Sequence, residues 1–533
     1  MNIRLSPIGL AALALAWLAA GAAAQPLSDA RVAELIAQAR AETQAPAGQA
    51  GRAVVDLRPD EAVRHALENN LDLKVERLNP QSFDIQLAQL KASYAPSLTG
   101  QFGQRSQTRT PTSQLNGGTR VITDTFTYNG GVTKNLPWFG ANTSVSFSNN
   151  RTGTSDSFSL FNPQYNSSLT LNYTQPLLRN FKIDSTRQQF ITTQISREMA
   201  DVTLRALVTN IEANVRNAYW DLLYAVEAIA VERSSLALAE ELVANNKIKV
   251  EIGTLAPLDV VQAEAEAATR RQSLATAEAT LKSAELALKR LVVSGTDDPW
   301  WGASFNPVER PSFQPATVDI EAAVRRALSE RNDLIQSRRS IESSGVNLKY
   351  LENQRLPALD LQASYGVQGL GGNQYERSGL GGTPTLVSSG GYPSALNKLL
   401  SNDFPTWNLQ VNLTYPIGNS SADAQVAAAK LKMTQAEAQL KALELTVATD
   451  VTSAGTTAQS DLTRLQAAVA ARELAQQKLE AEQTKLDVGM QTVYFVVQAQ
   501  RDLRTAQNSE LRALLDYRKA LVDFERVQHV AKR

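Results

Sequence analysis

The sequence predicts a mixed fold of α-helices and membrane β-strands that is built twice along the chain. Three observations support this prediction. Blocks of sequence recur in the same order in both halves, long helical segments run without glycine or proline, and strands with one apolar and one polar face interrupt those helices. Recurrence of a whole set of elements indicates two copies of one structural unit.

The first residues have the composition of an export signal. Arg4 supplies a positive charge, an apolar run follows, and Ala22-Ala23-Ala24 provides the small residues that a signal peptidase accepts. We expect a signal peptide over 1–24 and an N-terminal extension over 25–53. A retained membrane anchor is the alternative, although the apolar run is short for a membrane-spanning helix. The chain contains no cysteine, so packing or assembly must stabilise it without disulfides.

The charge balance and the lack of catalytic motifs exclude several functional classes. The 53 basic and 53 acidic residues give a net charge of zero, which offers no basis for a nucleic-acid partner. We expect both histidines, His65 and His529, on the surface, because each stands in charge-rich helical sequence. The sequence has no motif for a serine nucleophile, a phosphate-binding loop or a zinc site. We therefore expect a protein that is not an enzyme and that needs no cofactor or metal.

The internal repeat is carried by short matching blocks. Ala62-Val-Arg-His-Ala-Leu67 recurs as Ala323-Val-Arg-Arg-Ala-Leu328, and Val250-Glu-Ile-Gly253 recurs as Leu486-Asp-Val-Gly489. Each copy begins with a helix and ends with a long helix, a tight turn and another helix. The expected parts are a first repeat over 54–293, a linker over 294–316 and a second repeat over 317–530.

Helices are predicted by the spacing of apolar residues. In the first repeat these residues alternate at intervals of four and three, as in a coiled coil: Ile211, Val215, Ala218, Leu222, Ala225 and Ile229. No glycine or proline interrupts 184–251, so we expect one helix on the order of 100 Å long. An ordinary solvent-exposed coiled coil is the alternative. Further helices are expected over about 60–94, 257–293 and 422–487, the last with Gly455 as its only breaker.

Strands are predicted by alternation of apolar and polar residues. Leu169, Leu171 and Tyr173 alternate with polar residues in the first repeat, as do Leu409, Val411, Leu413 and Tyr415 in the second. One apolar and one polar face is typical of a transmembrane β-barrel strand, with lipid on one side and water on the other. A soluble β-sandwich with the apolar faces inward is the alternative. We expect strands over about 97–176 and about 358–416.

Prolines indicate where strands and helices meet, because proline cannot donate to a sheet or sit inside a helix. Four prolines fall at such junctions: Pro96, Pro176, Pro357 and Pro416. We expect four strands in the first repeat and two in the second. A short turn over 137–140 joins two of the first four. Three polar stretches are expected as outer loops: 109–123, 149–164 and 369–405.

These residues resemble the outer-membrane efflux protein family, also called the TolC family. The resemblance covers roughly 54–530 and is carried by these motifs: Asp56-Leu57, Glu61-Ala62, Ala66-Leu67-Glu68-Asn69-Asn70, Ala92-Ser93-Tyr94-Ala95-Pro96-Ser97-Leu98, Gln175-Pro-Leu-Leu178, Ile252-Gly253-Thr254, Leu258-Asp259-Val260 and Gln262-Ala263. It implies a homotrimer in which three chains share one outer-membrane β-barrel in contact with lipid. An α-helical barrel would continue that β-barrel into the periplasm. It also implies two partners, a periplasmic adaptor and an inner-membrane transporter.

The resemblance assigns roles to several residues. The turns at Gly253-Thr254 and Gly489-Met490 correspond to the tips on which the adaptor docks. The alternative is a plain glycine cap at the end of a helix, which would fit the turn without implying docking. Asp259 corresponds to an aspartate that bonds to a basic residue and helps to close the entrance, but Gln491 occupies the basic position here. The two acidic residues of the closed entrance correspond to Phe495 and Gln498. An apolar ring is therefore expected there, unless Phe495 packs one tip against its neighbour.

The expected function is a passive exit duct of a tripartite efflux pump or a type I secretion system. A barrel-anchored structural or adhesion protein with a helical stalk is the alternative. The sequence names no cargo, and the resemblance by itself leaves open whether the barrel has 12 or 18 strands.

Overall fold

The computed structural model describes residues 54–113, 116, 118–252, 256–310, 316–379, 382–415, 417, 420–488 and 490–528 of the 533-residue chain. The expected signal peptide and N-terminal extension, together with Gly253, Thr254, Pro416, Gly489 and His529, lie outside the described residues. The chain divides into two compact units. The first, the sheet unit, contains residues 83–195 and 342–434, and the second, the helical unit, contains 54–82, 196–341 and 435–528.

Nine strands are present in the described part of the chain. They are β1 (Val54–Leu57), β2 (Ser97–Arg109), β3 (Val121–Asn135), β4 (Asn142–Thr154), β5 (Phe161–Pro176), β6 (Ser304–Pro307), β7 (Ala358–Arg377), β8 (Pro384–Ser388) and β9 (Pro405–Thr414). β1 and β6 form a small parallel sheet in the helical unit. The other seven form one antiparallel sheet in the order β2-β3-β4-β5-β7, and β7 then pairs with β9 along one part of its length and with β8 along another.

Eleven helices are present in the same described ranges. They are α1 (Pro59–Asn69), α2 (Leu71–Glu76), α3 (Leu78–Ala92), α4 (Ser185–Glu251), α5 (Pro257–Val292), α6 (Pro299–Gly302), α7 (Ile320–Glu330), α8 (Asn332–Gln354), α9 (Tyr392–Leu400), α10 (Ser421–Asp487) and α11 (Val493–Gln528). The helix expected over about 60–94 is divided into three. Asn70 starts the second of these, because its side chain accepts a hydrogen bond from the Leu73 backbone N–H at 3.1 Å. No helix among the described residues is long and apolar enough to span a bilayer.

Prolines delimit the strands as predicted. Pro96 and Pro357 come directly before β2 and β7, and Pro176 is the last residue of β5. The predicted turn over 137–140 is also confirmed, because the Leu136 N–H donates to the Ala141 carbonyl at 2.8 Å. The segment 97–176 of the first repeat contains four strands, as predicted.

Two predictions about the loops are wrong. The stretch 369–405 is not a loop, because β7 extends to Arg377 and both β8 and α9 follow before β9 begins. The segment 358–415 of the second repeat therefore has three strands and a helix rather than two strands. The polar stretch 149–164 is mostly strand, since β4 continues to Thr154 and β5 begins at Phe161. Polar side chains suit strands whose faces both meet water. The stretch 109–123 is a connection as predicted, because β2 ends at Arg109 and β3 begins only at Val121.

The main core of the helical unit surrounds the predicted coiled-coil seam. Val215 and Leu222 are fully buried, and Ile211, Ala225 and Ile229 are nearly so. Leu57, Leu73, Leu288 and Val292 belong to the same cluster as Val215 and Leu222. The spacing of four and three brings one face of α4 repeatedly against its neighbours, so this seam is core rather than solvated surface.

Gly455 does not break α10, which continues through it from Ser421 to Asp487. A Cβ atom added at Gly455 would lie 2.7 Å from Ile320 Cγ1 and 3.1 Å from Phe524 Cε2. The glycine therefore permits a close approach of three elements of the helical unit.

The surface position expected for His65 is wrong. Its ring stacks on Trp300 with centroids 3.7 Å apart, and its Nδ1 lies 3.1 Å from the Val292 carbonyl oxygen. The stack leaves the ring partly buried and gives His65 a packing role within the helical unit.

Candidate functional site

The large sheet has one apolar and one polar face across its six long strands. The strand registers align one apolar row of side chains: Leu98, Val132, Val145, Leu171, Tyr365 and Trp407. The adjacent row on the opposite face is small or polar: Thr99, Gly131, Ser146, Thr170, Gly366 and Thr406. Since successive side chains point to opposite faces, this alternation separates two surfaces of different chemistry. We call them the apolar face and the polar face.

Both outer edges of the sheet are open. Among the described residues, β2 pairs only with β3 and β9 pairs only with β7. Every residue of β2 is exposed, and Phe102 and Trp407 on the apolar face are 81% and 75% exposed. An open edge leaves backbone N–H and C=O groups unpaired, which lipid does not tolerate. The backbone groups at both borders of the described sheet are therefore available for further strand pairing.

The second predicted tip joins α10 to α11. Val496, Ala499 and Leu503 of α11 pack against Leu479 of α10 and form the core of this hairpin. Met490 is 78% exposed, and Phe495 is 47% exposed with its ring against Tyr494 at a centroid distance of 5.5 Å. Phe495 does not belong to the buried clusters found among the described residues, so it does not pack in the core of this chain.

The two glutamines near the tip bond to carboxylates of the same hairpin. Gln498 Nε2 donates to Asp502 Oδ1 at 2.9 Å, and Lys478 Nζ donates to Asp502 Oδ2 at 2.8 Å. Gln491 Nε2 donates to Glu482 Oε2 at 2.9 Å, and Lys485 Nζ donates to the other oxygen of Glu482 at 2.8 Å. The lysine hydrogen bonds lower the pKa of both carboxyls. These carboxylates are therefore charged at neutral pH, and each already has a cation beside it.

Asp259 lies in the first turn of α5. Its N–H donates to the Ala256 carbonyl at 3.0 Å, and its own carbonyl accepts from Asn246 Nδ2 at 3.4 Å. Gln491 bonds to Glu482 rather than to Asp259. Among the described residues, no hydrogen bond or ion pair joins these two predicted entrance residues.

A buried network of charged residues joins α4, α5 and α11, and sequence reasoning missed it. Glu266 and Arg270 of α5 are each only 4% exposed and form an ion pair. Arg501 of α11 binds the same carboxylate, with its Nε 3.0 Å from Glu266 Oε2. Burial raises the pKa of Glu266, but the hydrogen bond from Arg501 and the charges of both arginines outweigh it, so the net pKa is lowered.

The network continues to α4 through Glu232. Its carboxylate accepts from Arg504 Nη1 at 3.4 Å and from Asn508 Nδ2 at 3.2 Å. Arg504 Nη1 also lies 3.4 Å from Ser273 Oγ of α5. The sequence carried one signal for this network, since Glu266 and Arg270 continue the spacing of three and four that starts at buried Ala263. Charged residues at such seam positions are buried and need partners.

Comparison with known proteins decides the family. The family model for the outer membrane efflux protein matches residues 62–293 and 323–527, one segment in each half of the chain. The chain belongs to this family. Family membership places the protein in the outer membrane.

The sequence relatives are distant. The chain is 24% identical over 319 residues to outer membrane protein TolC of Escherichia coli, which covers 60% of this chain and 61% of TolC. It is also 24% identical over 304 residues to outer membrane efflux protein BepC of Brucella suis, covering 56% and 58% of the two chains. The alignments thus span less than two thirds of either relative.

The fold is shared along a greater length. The CmeC outer membrane channel of Campylobacter jejuni superposes with a TM-score of 0.62 and 15% identity over 91% of each chain. This agreement confirms the predicted class of fold, in which long helices accompany a membrane-type sheet.

Proposed function

We propose that this outer membrane efflux protein is the passive exit duct of a tripartite efflux pump or a type I secretion system. The observation that carries the proposal is the two-faced sheet with its two open edges. Its polar face suits the wall of a water-filled lumen, and its apolar face suits contact with lipid. The matched segments lie inside the two repeats that we propose, 54–293 and 317–530.

The open edges support a trimer. β2 and β9 run in opposite directions at the two borders of the sheet, so β9 of one copy suits antiparallel pairing with β2 of the next. Six long strands from each of three chains give a closed barrel of about 18 strands, a size with an open lumen. The β3–β4 hairpin is hydrogen-bonded into the sheet, which favours this number over 12.

The proposed duct has a docking end and an entrance. We infer that the tips at Gly253-Thr254 and Gly489-Met490 bind the periplasmic adaptor of an inner-membrane transporter. The high exposure of Met490 agrees with this role. We also infer that Phe495 lines the entrance, with Gln498 one turn away on the same face of α11. Asp259 and Gln491, which the family motifs assign to the entrance, complete this inferred set. Its half-exposed ring supports this position over a core role.

Disulfide cross-linking tests the trimer. The chain has no cysteine, so Thr99→Cys on β2 can be combined in turn with cysteine at Thr406, Asn408 or Gln410 on β9. All four positions lie on the polar face. We expect one combination to yield covalent trimers in outer-membrane fractions, whereas the single-cysteine controls yield none. Covalent dimers without trimers, or no cross-link from any combination, would contradict shared barrel closure.

The duct function is tested separately, by ion conductance and by binding of an adaptor. Purified trimer in planar bilayers should conduct ions, and an adaptor should co-purify with it after cross-linking in cells. A trimer that neither conducts nor binds an adaptor would support the stalk or adhesion protein instead.

A further inference from the structure

The helix α9 lies on the apolar face of the sheet. Ala395 and Leu399 of α9 are buried, at 0% and 4% exposure. A Cβ atom added at Gly369 would lie 1.9 Å from the Ala395 carbonyl oxygen, and one added at Gly371 would lie 2.4 Å from the Gly391 carbonyl oxygen. These glycines follow Val367 at alternate positions of β7, so they share its face. Their lack of side chains lets α9 approach the strand closely.

The composition of the apolar face changes where α9 covers it. One row consists of Phe147, Leu169 and Val367 on adjacent strands. The next row on the same face pairs Asn149 with Ser167 and Ser167 with Gly369. Asn149 and Ser167 are 2% and 1% exposed. Large apolar side chains thus give way to small and polar ones at the level of α9, and no lipid can reach them there.

Aromatic side chains gather at the same level. Tyr392, the first residue of α9, lies edge-on to Tyr128 at a centroid distance of 5.4 Å and 6.5 Å from Tyr165. Its hydroxyl donates to Asn149 Oδ1 at 3.2 Å. Aromatic residues with one polar end are enriched where a membrane protein crosses the boundary between acyl chains and headgroups.

The other side of α9 has the mixed character of that boundary. Two apolar side chains are exposed here: Leu400, the last residue of α9, at 52%, and Phe404, just after the helix, at 57%. The polar residue Asn397, one turn before Leu400, is also exposed. The segment of β5 from Pro176 to Ser167 measures roughly 30 Å at about 3.3 Å per residue, or roughly 22 Å in height at a tilt of about 40–45°. That height is close to the apolar band of about 25 Å expected for an outer-membrane barrel.

We propose that α9 is an interfacial helix that marks the outer boundary of the bilayer and contacts lipid where acyl chains meet headgroups. The proposal rests on the proposed function, in which the apolar face meets lipid. Between the Pro176 end of β5 and the level of α9, the apolar face is uncovered. At the level of α9, this helix covers the face.

Spin labels at single cysteines test this placement in proteoliposomes, because the chain offers no native cysteine. The three sites are Leu400→Cys on α9, Leu171→Cys on the apolar face and Thr170→Cys on the polar face. Collisions with oxygen report lipid, and collisions with a nickel chelate report water. We expect high oxygen access at residue 171, high nickel access at residue 170 and a shallow membrane depth at residue 400.

Gly369→Val should force α9 off the sheet and raise nickel access at residue 400 several-fold without changing that at residue 171. Gly100→Val is the matched control, because no atom lies within 4 Å of a Cβ added there on the edge strand β2. The depth measurement in the otherwise unaltered chain stands even if the Gly369→Val protein does not assemble.

The outcomes separate the two proposals. Full water exposure at residue 400 together with lipid exposure at residue 171 would overturn the interfacial helix and leave the duct intact. Water exposure at residue 171 itself would instead overturn the assignment of the apolar face to lipid, and with it the proposed function.

Discussion

Glu266 on α5 and Arg501 on α11 are 235 residues apart in the sequence and form an ion pair, with Arg501 Nε 3.0 Å from Glu266 Oε2. The same carboxylate binds Arg270, so one buried acid neutralises two bases. The contact ties α11, which carries the proposed entrance residue Phe495, to α5, whose first turn contains Asp259.

Removing this acid should destabilise the helical unit. Glu266→Ala leaves Arg270 buried without its partner, which costs about 3 kcal/mol of unfolding free energy. Glu264→Ala is the matched control, because Glu264 pairs with Lys247 at 2.8 Å with both side chains about half exposed, and such pairs contribute little. Thermal unfolding of the purified protein in detergent, followed by circular dichroism, measures the change in stability of both variants. Equal shifts for the two variants would contradict a structural role for the network.

The stabilisation by Glu266 should disappear in acid. Its pKa in the folded protein is lowered below the ordinary value of 4.5. The contribution is therefore fully present above that ordinary value and is lost as the pH falls through the lowered pKa. The difference in unfolding temperature between wild type and Glu266→Gln should be largest at neutral pH and should shrink in acid. A difference that grows in acid would show that other groups dominate.

Charge placed on the two faces of the sheet should have unequal effects. Leu171→Arg or Val411→Arg puts a cation on the apolar face and should cost about 2–4 kcal/mol if the site is near mid-bilayer. Thr170→Arg, one residue away on the polar face, should be tolerated. The yield of folded trimer in the outer membrane is the measurement. Similar yields for all three variants would rule out a lipid-facing strand at these positions.

Changes at Phe495 should alter the resting channel. Three apolar rings at a constriction close a pore by excluding water, whereas carboxylates attract cations. Phe495→Ala should raise the resting conductance in planar bilayers, and Phe495→Asp should raise cation selectivity and sensitivity to divalent cations. Leu474→Ala on α10 is the control, since Leu474 is an exposed apolar residue away from the turn. If both Phe495 variants abolish the trimer, Phe495 packs one copy against another and the entrance lies elsewhere.

Two glycines in helices should respond to alanine with opposite signs. Gly455→Ala places Cβ 2.7 Å from Ile320 Cγ1 and should destabilise the protein by about 1–3 kcal/mol. Gly345→Ala in α8 meets no atom within 4 Å and should stabilise it by about 0.5–1 kcal/mol, because alanine favours helix. Thermal unfolding of the purified protein measures the change in stability of both variants. A stabilising Gly455→Ala would mean that α10 can move away from Ile320 at no cost.

The sequence by itself determined the elements whose pattern is local. Alternation at Leu169 and Leu171 predicted strands with two different faces, and the spacing from Ile211 to Ile229 predicted a buried helical seam. Prolines predicted where β2, β5 and β7 begin or end. Each of these signals depends on residues a few positions apart, because one turn of helix or two residues of strand set which side a residue faces.

The tertiary structure alone decided which distant residues meet. Gly455 looks like a helix breaker in the sequence but is a contact point for Ile320 and Phe524. Gly369 and Gly371 look like part of a loop but form the surface on which α9 packs. Gln491 occupies the position of a partner for Asp259 but bonds to Glu482 instead. The periodicity of a segment predicts which face of a helix or strand is buried. It does not predict which distant residue contacts that face, because that depends on the positions of segments far apart in the chain.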